Sequence, residues 1–287
     1  MKKTFWSLAA LMLMAAPVMT SCSNDLDEVA PVEEVKSNVV TITIAPPAAE
    51  TRVGMTGLGI TGWALNDEVT LYRTEQMGPD MNIMGDGVTF KCIDAGNGTF
   101  SAPFDGEIDE YNLAVFGCTA KEEGGVVFTP TTWSSTELKD VVMMAAFKAG
   151  SSYTMKIINN VLKIENTTSS DVEVGWYGWD YYNEVNTFYN LATQYAFEHE
   201  GPGPSDGSWK WGGKLVDWAN CSWGETVPFS LKANAVNYVN FPMIGVIYGG
   251  DNEKLGLYTS SGTAVLSMKG LGGKDNVSGK LYDAGSF

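Results

Sequence analysis

Apolar and polar residues alternate from Val39 to Ile44: Val40, Ile42 and Ile44 face one way, Val39, Thr41 and Thr43 the other. That two-residue period makes a strand with one buried face. Pro46 and Pro47 lack the N–H a ladder needs, so the strand stops at Ala45 and a loop runs on through Arg52. Trp63 announces a second strand over 69–73. Further strands are predicted over 88–93, 99–102, 111–117, 126–129 and 141–146. After Gly150 come 153–158, 161–165, 172–177, 188–191, 195–198, 226–231, 238–242, 255–259, 264–268 and 277–282. Turn residues such as Gly85-Asp86-Gly87, Gly96-Asn97-Gly98 and Gly201-Pro202-Gly203-Pro204 separate them, and no long amphipathic helical stretch intervenes. The pattern is all-β, with short strands suited to sandwiches. A break near Ala149-Gly150-Ser151-Ser152 divides the body into 39–150 and 151–287, each long enough to bury a core.

The start of the chain follows different rules. Lys2 and Lys3 precede an apolar run from Phe5 to Val18 that is too short to span a bilayer, so residues 1–21 read as a cleaved signal peptide. Met19-Thr20-Ser21-Cys22 resembles a bacterial lipobox, which makes Cys22 the lipid-bearing first residue of the mature chain. An ordinary secretory signal with an incidental cysteine is the plainer alternative. Ser23-Asn24-Asp25-Leu26-Asp27-Glu28 resembles an export tag for surface lipoproteins, and residues 22–38 as a whole read as an acidic linker.

Charge narrows the function. Losing Lys2 and Lys3 takes the net charge from −16 to −18, and no basic stripe exists, so nucleic acid is excluded as a partner. Arg52 and Arg73 are the only arginines, which leaves little for binding phosphate or carboxylate. Beyond Cys22 the cysteines are Cys92, Cys118 and Cys221. Cys92 and Cys118 fall in neighbouring predicted strands and could pair, though an odd count favours buried apolar thiols. With one histidine and no Cys-x-x-Cys spacing, neither a zinc site nor any other metal or cofactor is expected.

Catalytic motifs are missing: there is no Gly-x-Ser-x-Gly elbow and no phosphate loop. His199 precedes a Gly/Pro loop with no nucleophile at recognisable spacing, so it reads as a surface or loop histidine. No enzyme is expected. Aromatic residues crowd the second half, where Trp179, Tyr181, Trp209 and Trp211 stand among Asp, Gly and Ser. Exposed, they would offer a stacking surface for sugar; buried, they would fill a sandwich core, as Trp176 and Tyr177 are expected to do.

Taken in order, the lipobox, the acidic tether, the single strand, the loop through Thr51-Arg52 and the run from Gly62-Trp63 through Asp67-Glu68-Val69-Thr70-Leu71-Tyr72 resemble the fimbrillin family, the FimA/Mfa-like fimbrial lipoproteins. The segment from Tyr153 to Ile164, the run Tyr238-Val239-Asn240-Phe241-Pro242 and the strand after Val277-Ser278-Gly279-Lys280 are similar to later parts of the same family. This chain is shorter than typical stalk subunits, and Asn159-Asn160 replaces a basic or histidine position. The resemblance implies two transthyretin-like sandwiches and export to the outer membrane on a lipid anchor. It further implies cleavage after Arg52, with Val53 as the new first residue. The strand Val39, Val40, Thr41, Ile42, Thr43 and Ile44 would then be lost and its place filled by another fimbrial subunit.

Physics gives that route independent sense. A removed strand leaves a row of unpaired backbone groups over an apolar trough, a seat that another strand can fill. Arg73, read as lying at a strand end, is the less accessible arginine. A tip or adhesive role with a host protein or glycan receptor is compatible, because few residues follow the last predicted strand. The rival reading is a monomeric surface lipoprotein that binds glycans through its second half.

Overall fold

Val69 and Leu71 alternate inward with Thr70 and Tyr72 outward, and the first half of the chain repeats that pattern strand after strand. In the computed structural model the described residues are 38–47, 62–75, 82–122, 126–180, 185–200, 210–222, 228–242, 256–267, 279 and 281–287. They form β1 (Val39–Ala45), β2 (Glu68–Glu75), β3 (Asn82–Asp94), β4 (Thr99–Pro103), β5 (Leu113–Phe116), β6 (Cys118–Glu122) and β7 (Val126–Pro130). Next come β8 (Ser134–Ser135), β9 (Met144–Ala149), β10 (Ser152–Thr154), β11 (Lys156–Ile157), β12 (Asn159–Asn166) and β13 (Val172–Asp180). The remainder are β14 (Val185–Glu200), β15 (Lys210–Ser222), β16 (Phe229–Leu231), β17 (Ala235–Pro242), β18 (Gly256–Tyr258), β19 (Ala264–Ser267) and β20 (Leu281–Ser286). Two short 3-10 turns, Ile108–Glu110 and Leu138–Val141, are the only helical pieces among the described residues. The protein is all-β.

Three sheets result. The first runs β10-β1-β4-β3-β2-β5-β9-β11, and because β10 also pairs with β9 its pairings close into a ring. The second is β20-β12-β17-β8; the third is β19-β18-β13-β14-β7-β6, with β15 on β14 and β16 on β13. Two pairings among the described strands are parallel: β1 with β10, and β20 with β12, where Val161 stands opposite Leu281.

Several predicted strands shift. The turn at Gly150 separates β9 from β10, yet these two pair with each other; β10 and β11 stay in the first sheet, and β12 is the first strand after the turn to leave it. Tyr153 and Met155 carry the reason, since both are buried in the same cluster as Ile44, Trp63, Phe90 and Phe100. The predicted strand at 141–146 begins instead at Met144, because Leu138–Val141 turns as a 3-10 segment first. The predicted pair 188–191 and 195–198 is one continuous strand, β14. Residues 210–222, where no strand is predicted, form β15 against it; Gly212 and Gly213 break the alternation that would have announced it. His199 accordingly lies in a strand opposite Trp211, not in a loop.

Parts of β5 and β12 sit between two cores. In β5 Leu113 and Val115 belong to the cluster around Phe128 and Met143, while Ala114 faces the Ile44 cluster. In β12 Val161 faces the Ile44 cluster, and Leu162 and Ile164 face Trp133, Trp176 and Phe241. Burial on both faces explains the apolar runs Leu113-Ala114-Val115 and Val161-Leu162; Lys163 and Glu165 then return β12 to one polar face.

Asn159 ties the sheets together at this junction. Its Oδ1 accepts the Met143 N–H at 2.8 Å and its Nδ2 donates to the Val141 carbonyl at 2.9 Å, with no solvent access. Asn159→Leu strands the Met143 amide in the core and should cost about 2–3 kcal/mol, read as a lowered midpoint in thermal melts. An unchanged midpoint would show that these bonds are replaceable.

Candidate functional site

The first strand is held along one edge and clamped at one end. β1 runs antiparallel to β4 from Val39 opposite Pro103 to Thr43 opposite Thr99. Its parallel contact with β10 covers only Ile44 opposite Tyr153 and Ala45 opposite Thr154. The alternation read from sequence holds: Ile44 is fully buried, Val40 and Ile42 are half-buried against the same core, and Val39 is 69 % exposed. At the near end the Phe104 N–H donates to the Asn38 carbonyl at 2.8 Å.

The far end, on the Arg52 side in sequence, is bound on every side. Ile44 N–H donates to the Gly98 carbonyl at 2.9 Å, and the Met155 N–H donates to the Ala45 carbonyl at 3.0 Å. Trp63 Nε1 donates to the Ile44 carbonyl at 2.8 Å, a buried bond. The indole is itself fixed edge-on against Phe100 and Phe116, with centroids 5.0 and 5.6 Å away.

Local chemistry sets Trp63 in place. Asp67 Oδ2 accepts the Ala64 N–H at 2.7 Å, the Asp67 N–H returns to the Ala64 carbonyl, and Asn66 takes a positive φ of 69° to make the turn. Lys139 Nζ closes on both Asp67 oxygens at 2.6 and 2.8 Å. Opposite stands Gly98 at φ +62°, where a Cβ would lie 2.4 Å from the Ile44 carbonyl oxygen. Only glycine permits that approach.

The Gly98 turn depends on Asp94, whose carboxylate accepts from Asn97 Nδ2 at 2.6 Å and from the Gly96 and Asn97 amides. The Asn97 side chain, then its backbone amide, hold the Asp94 carboxyl below its ordinary pKa. A depressed carboxyl contributes its stability above the unfolded value of about 3.9 and loses it as pH falls through the folded value. Protection of the Ile44 amide, taken relative to its intrinsic exchange rate at each pH, should therefore fall below about pH 4, and Asp94→Asn should flatten that change. An acid response unaltered by Asp94→Asn would assign it to other groups.

Other sequence-derived candidates resolve differently. Arg73 sits inside β2, not at a strand end, and pairs with Glu110 at 3.0 Å. Cys92 and Cys118 are free, buried and in separate clusters, and burial pushes the Cys118 thiol up. Cys221 lies in β15. Trp176 is buried beside Phe241 at 5.1 Å, and Tyr177 lies 4.8 Å from Tyr258. Trp179 and Trp211 belong to β13 and β15 by their backbones, with side chains outside the description. Cys22, Arg52, Val53, Tyr181 and Trp209 lie outside the described residues. Among those described, no cluster of three or more metal-ligating side chains forms, and no helix is long and apolar enough to cross a membrane.

Sequence reading marked Trp63 and the Gly96-Asn97-Gly98 turn but missed that both converge on Ile44. It also missed Met155 as the donor to Ala45. The inward alternation of Tyr153 and Met155 is the one signal that could have placed them beside β1.

No protein-family model matches this chain, and no curated protein matches it. Among solved structures it is similar to the major pilin of Streptococcus pyogenes, with 13 % identity and a TM-score of 0.15 over 73 % of this chain and 80 % of that one. Two mutant forms of that pilin align at TM-score 0.14, with 13 % and 12 % identity. Superpositions this loose establish neither a shared fold nor a shared role.

Proposed function

We propose that this chain is a structural subunit of a bacterial surface fimbria, polymerised by exchange of its first strand. The observation that carries the reading is the seat of β1. That strand fills the gap between β4 and β10 in an otherwise continuous ring, and Arg52 follows its last residue, Ala45, by seven positions in the sequence. Cleavage after Arg52 would leave β1 held by non-covalent bonds alone. Its departure would free the Gly98 carbonyl, the Met155 amide and the edge of β4 above a trough that includes Phe100, Tyr153 and Met155. Such a trough is unstable until a strand from another subunit supplies the missing bonds and side chains.

In this reading Cys22 carries the lipid that anchors the precursor in the outer membrane, and 39–150 and 151–287 are two transthyretin-like units with no catalysis of their own. β20 occupies Leu281–Ser286, and Phe287 N–H donates to the Glu165 carbonyl at 3.1 Å, so these residues are engaged in their own sheet. A tip or adhesive position is compatible with this reading. Surface extracts run on denaturing gels without boiling should show a regular ladder of oligomers. A lone monomer band in every surface fraction would contradict the proposal.

A further inference from the structure

We infer that Trp63 is the positioning residue of the strand seat, a main-chain latch that phases whichever strand lies there. The inference rests on the exchange reading and adds how the seat selects its occupant. Ile44 fills the core with its side chain, but its backbone is gripped separately: carbonyl to Trp63 Nε1 at 2.8 Å, N–H to the Gly98 carbonyl at 2.9 Å. Trp63 Nε1 is the one side-chain donor bonded to β1 among the described residues. Its ring cannot swing away, because Phe100 and Phe116 hold it edge-on.

When β1 leaves, the indole N–H is left in the trough without its acceptor, and burying it unpaired again would be costly. An incoming strand must therefore present a carbonyl at the Ile44 place. Backbone groups alternate sides along a strand, so a slip of one residue turns the carbonyl away and also swings a polar side chain into the Ile44 pocket. Gly98 adds a second condition: the residue there needs a free N–H, which excludes proline, and Pro46 follows Ile44 by only two positions. Trp63 and Gly98 touch main chain alone. The latch thus reads phase and extended geometry rather than side-chain identity, and it admits an alternating apolar segment of a second subunit as readily as β1.

Amide exchange on the intact, uncleaved mature chain tests this without relying on proteolysis or assembly. Trp63→Phe keeps a ring against Phe100 and Phe116 and removes the N–H. Exchange at Ile44 and Met155 should quicken about tenfold, while Phe90 and Val115 in the interior strands keep their rates. Uniform acceleration across the sheet would make Trp63 a core filler, and no acceleration would make the bond irrelevant; either overturns the latch. Should the variant not fold, the wild-type chain decides. One opening must free the indole N–H from the Ile44 carbonyl and the Ile44 N–H from the Gly98 carbonyl, so the two protons, each corrected for its own intrinsic exchange rate, should report the same opening equilibrium, and an indole that opens independently overturns the proposal. Loss of oligomer ladders with the latch intact would instead count against the exchange reading alone.

Discussion

Chains carrying Arg52→Ala are expected to reach the cell surface and stay there as full-length monomers, with the oligomer ladder lost. Arg52 and Arg73 are the only arginines in the sequence, and they are not equivalent. Arg73 lies within β2, paired on one side to β3 and on the other to β5, with its guanidinium on Glu110. A protease needs an extended, unpaired segment, which a central strand such as β2 does not offer and which the double proline Pro46-Pro47 leads the sequence to predict before Arg52. Arg73→Ala should accordingly leave the ladder intact. Arg52→Lys separates two causes, because an arginine-specific protease would spare it while the charge stays. A ladder that persists in Arg52→Ala would remove the cleavage step from the mechanism.

The second large effect concerns Ile44, and it reverses between precursor and fibre. Ile44 has no solvent exposure and packs among Trp63, Phe100, Tyr153 and Met155. Truncating a fully buried isoleucine removes about 2–4 kcal/mol, so Ile44→Ala precursor should unfold at distinctly lower denaturant. Fibres assembled from that variant should resist heat as wild-type fibres do, since the altered residue was discarded before assembly. Equal weakening of precursor and fibre would mean that β1 stays in its seat.

Much of this fold could be read from the residues, and the limits have physical causes. The alternation at Val40, Ile42 and Ile44 gave both the strand and its buried face, and the double proline gave its end. The ring that β1 completes was hidden. It depends on a parallel contact between Ile44 and Tyr153, far apart in the chain, and on a three-residue strand too short to show a period. β15 was obscured for another reason, as Gly212 and Gly213 erase the side-chain pattern while leaving the backbone free to pair. Trp63 stood out as a residue. That its N–H ends on Ile44 depends on the path of the intervening chain, which periodicity does not encode. Within the aromatic stretch from Trp176, Trp176 fills the core beside Phe241 as its alternating position predicts.

Whether the first strand is discarded can be read from the first residue of the assembled protein. Fibres sheared from the cell surface, purified and subjected to N-terminal sequencing and peptide mass mapping, should begin at Val53 and yield no peptide containing Val39–Ala45. Assembled subunits that still carry that strand, joined through Arg52 to the rest of the chain, would contradict strand exchange at this seat.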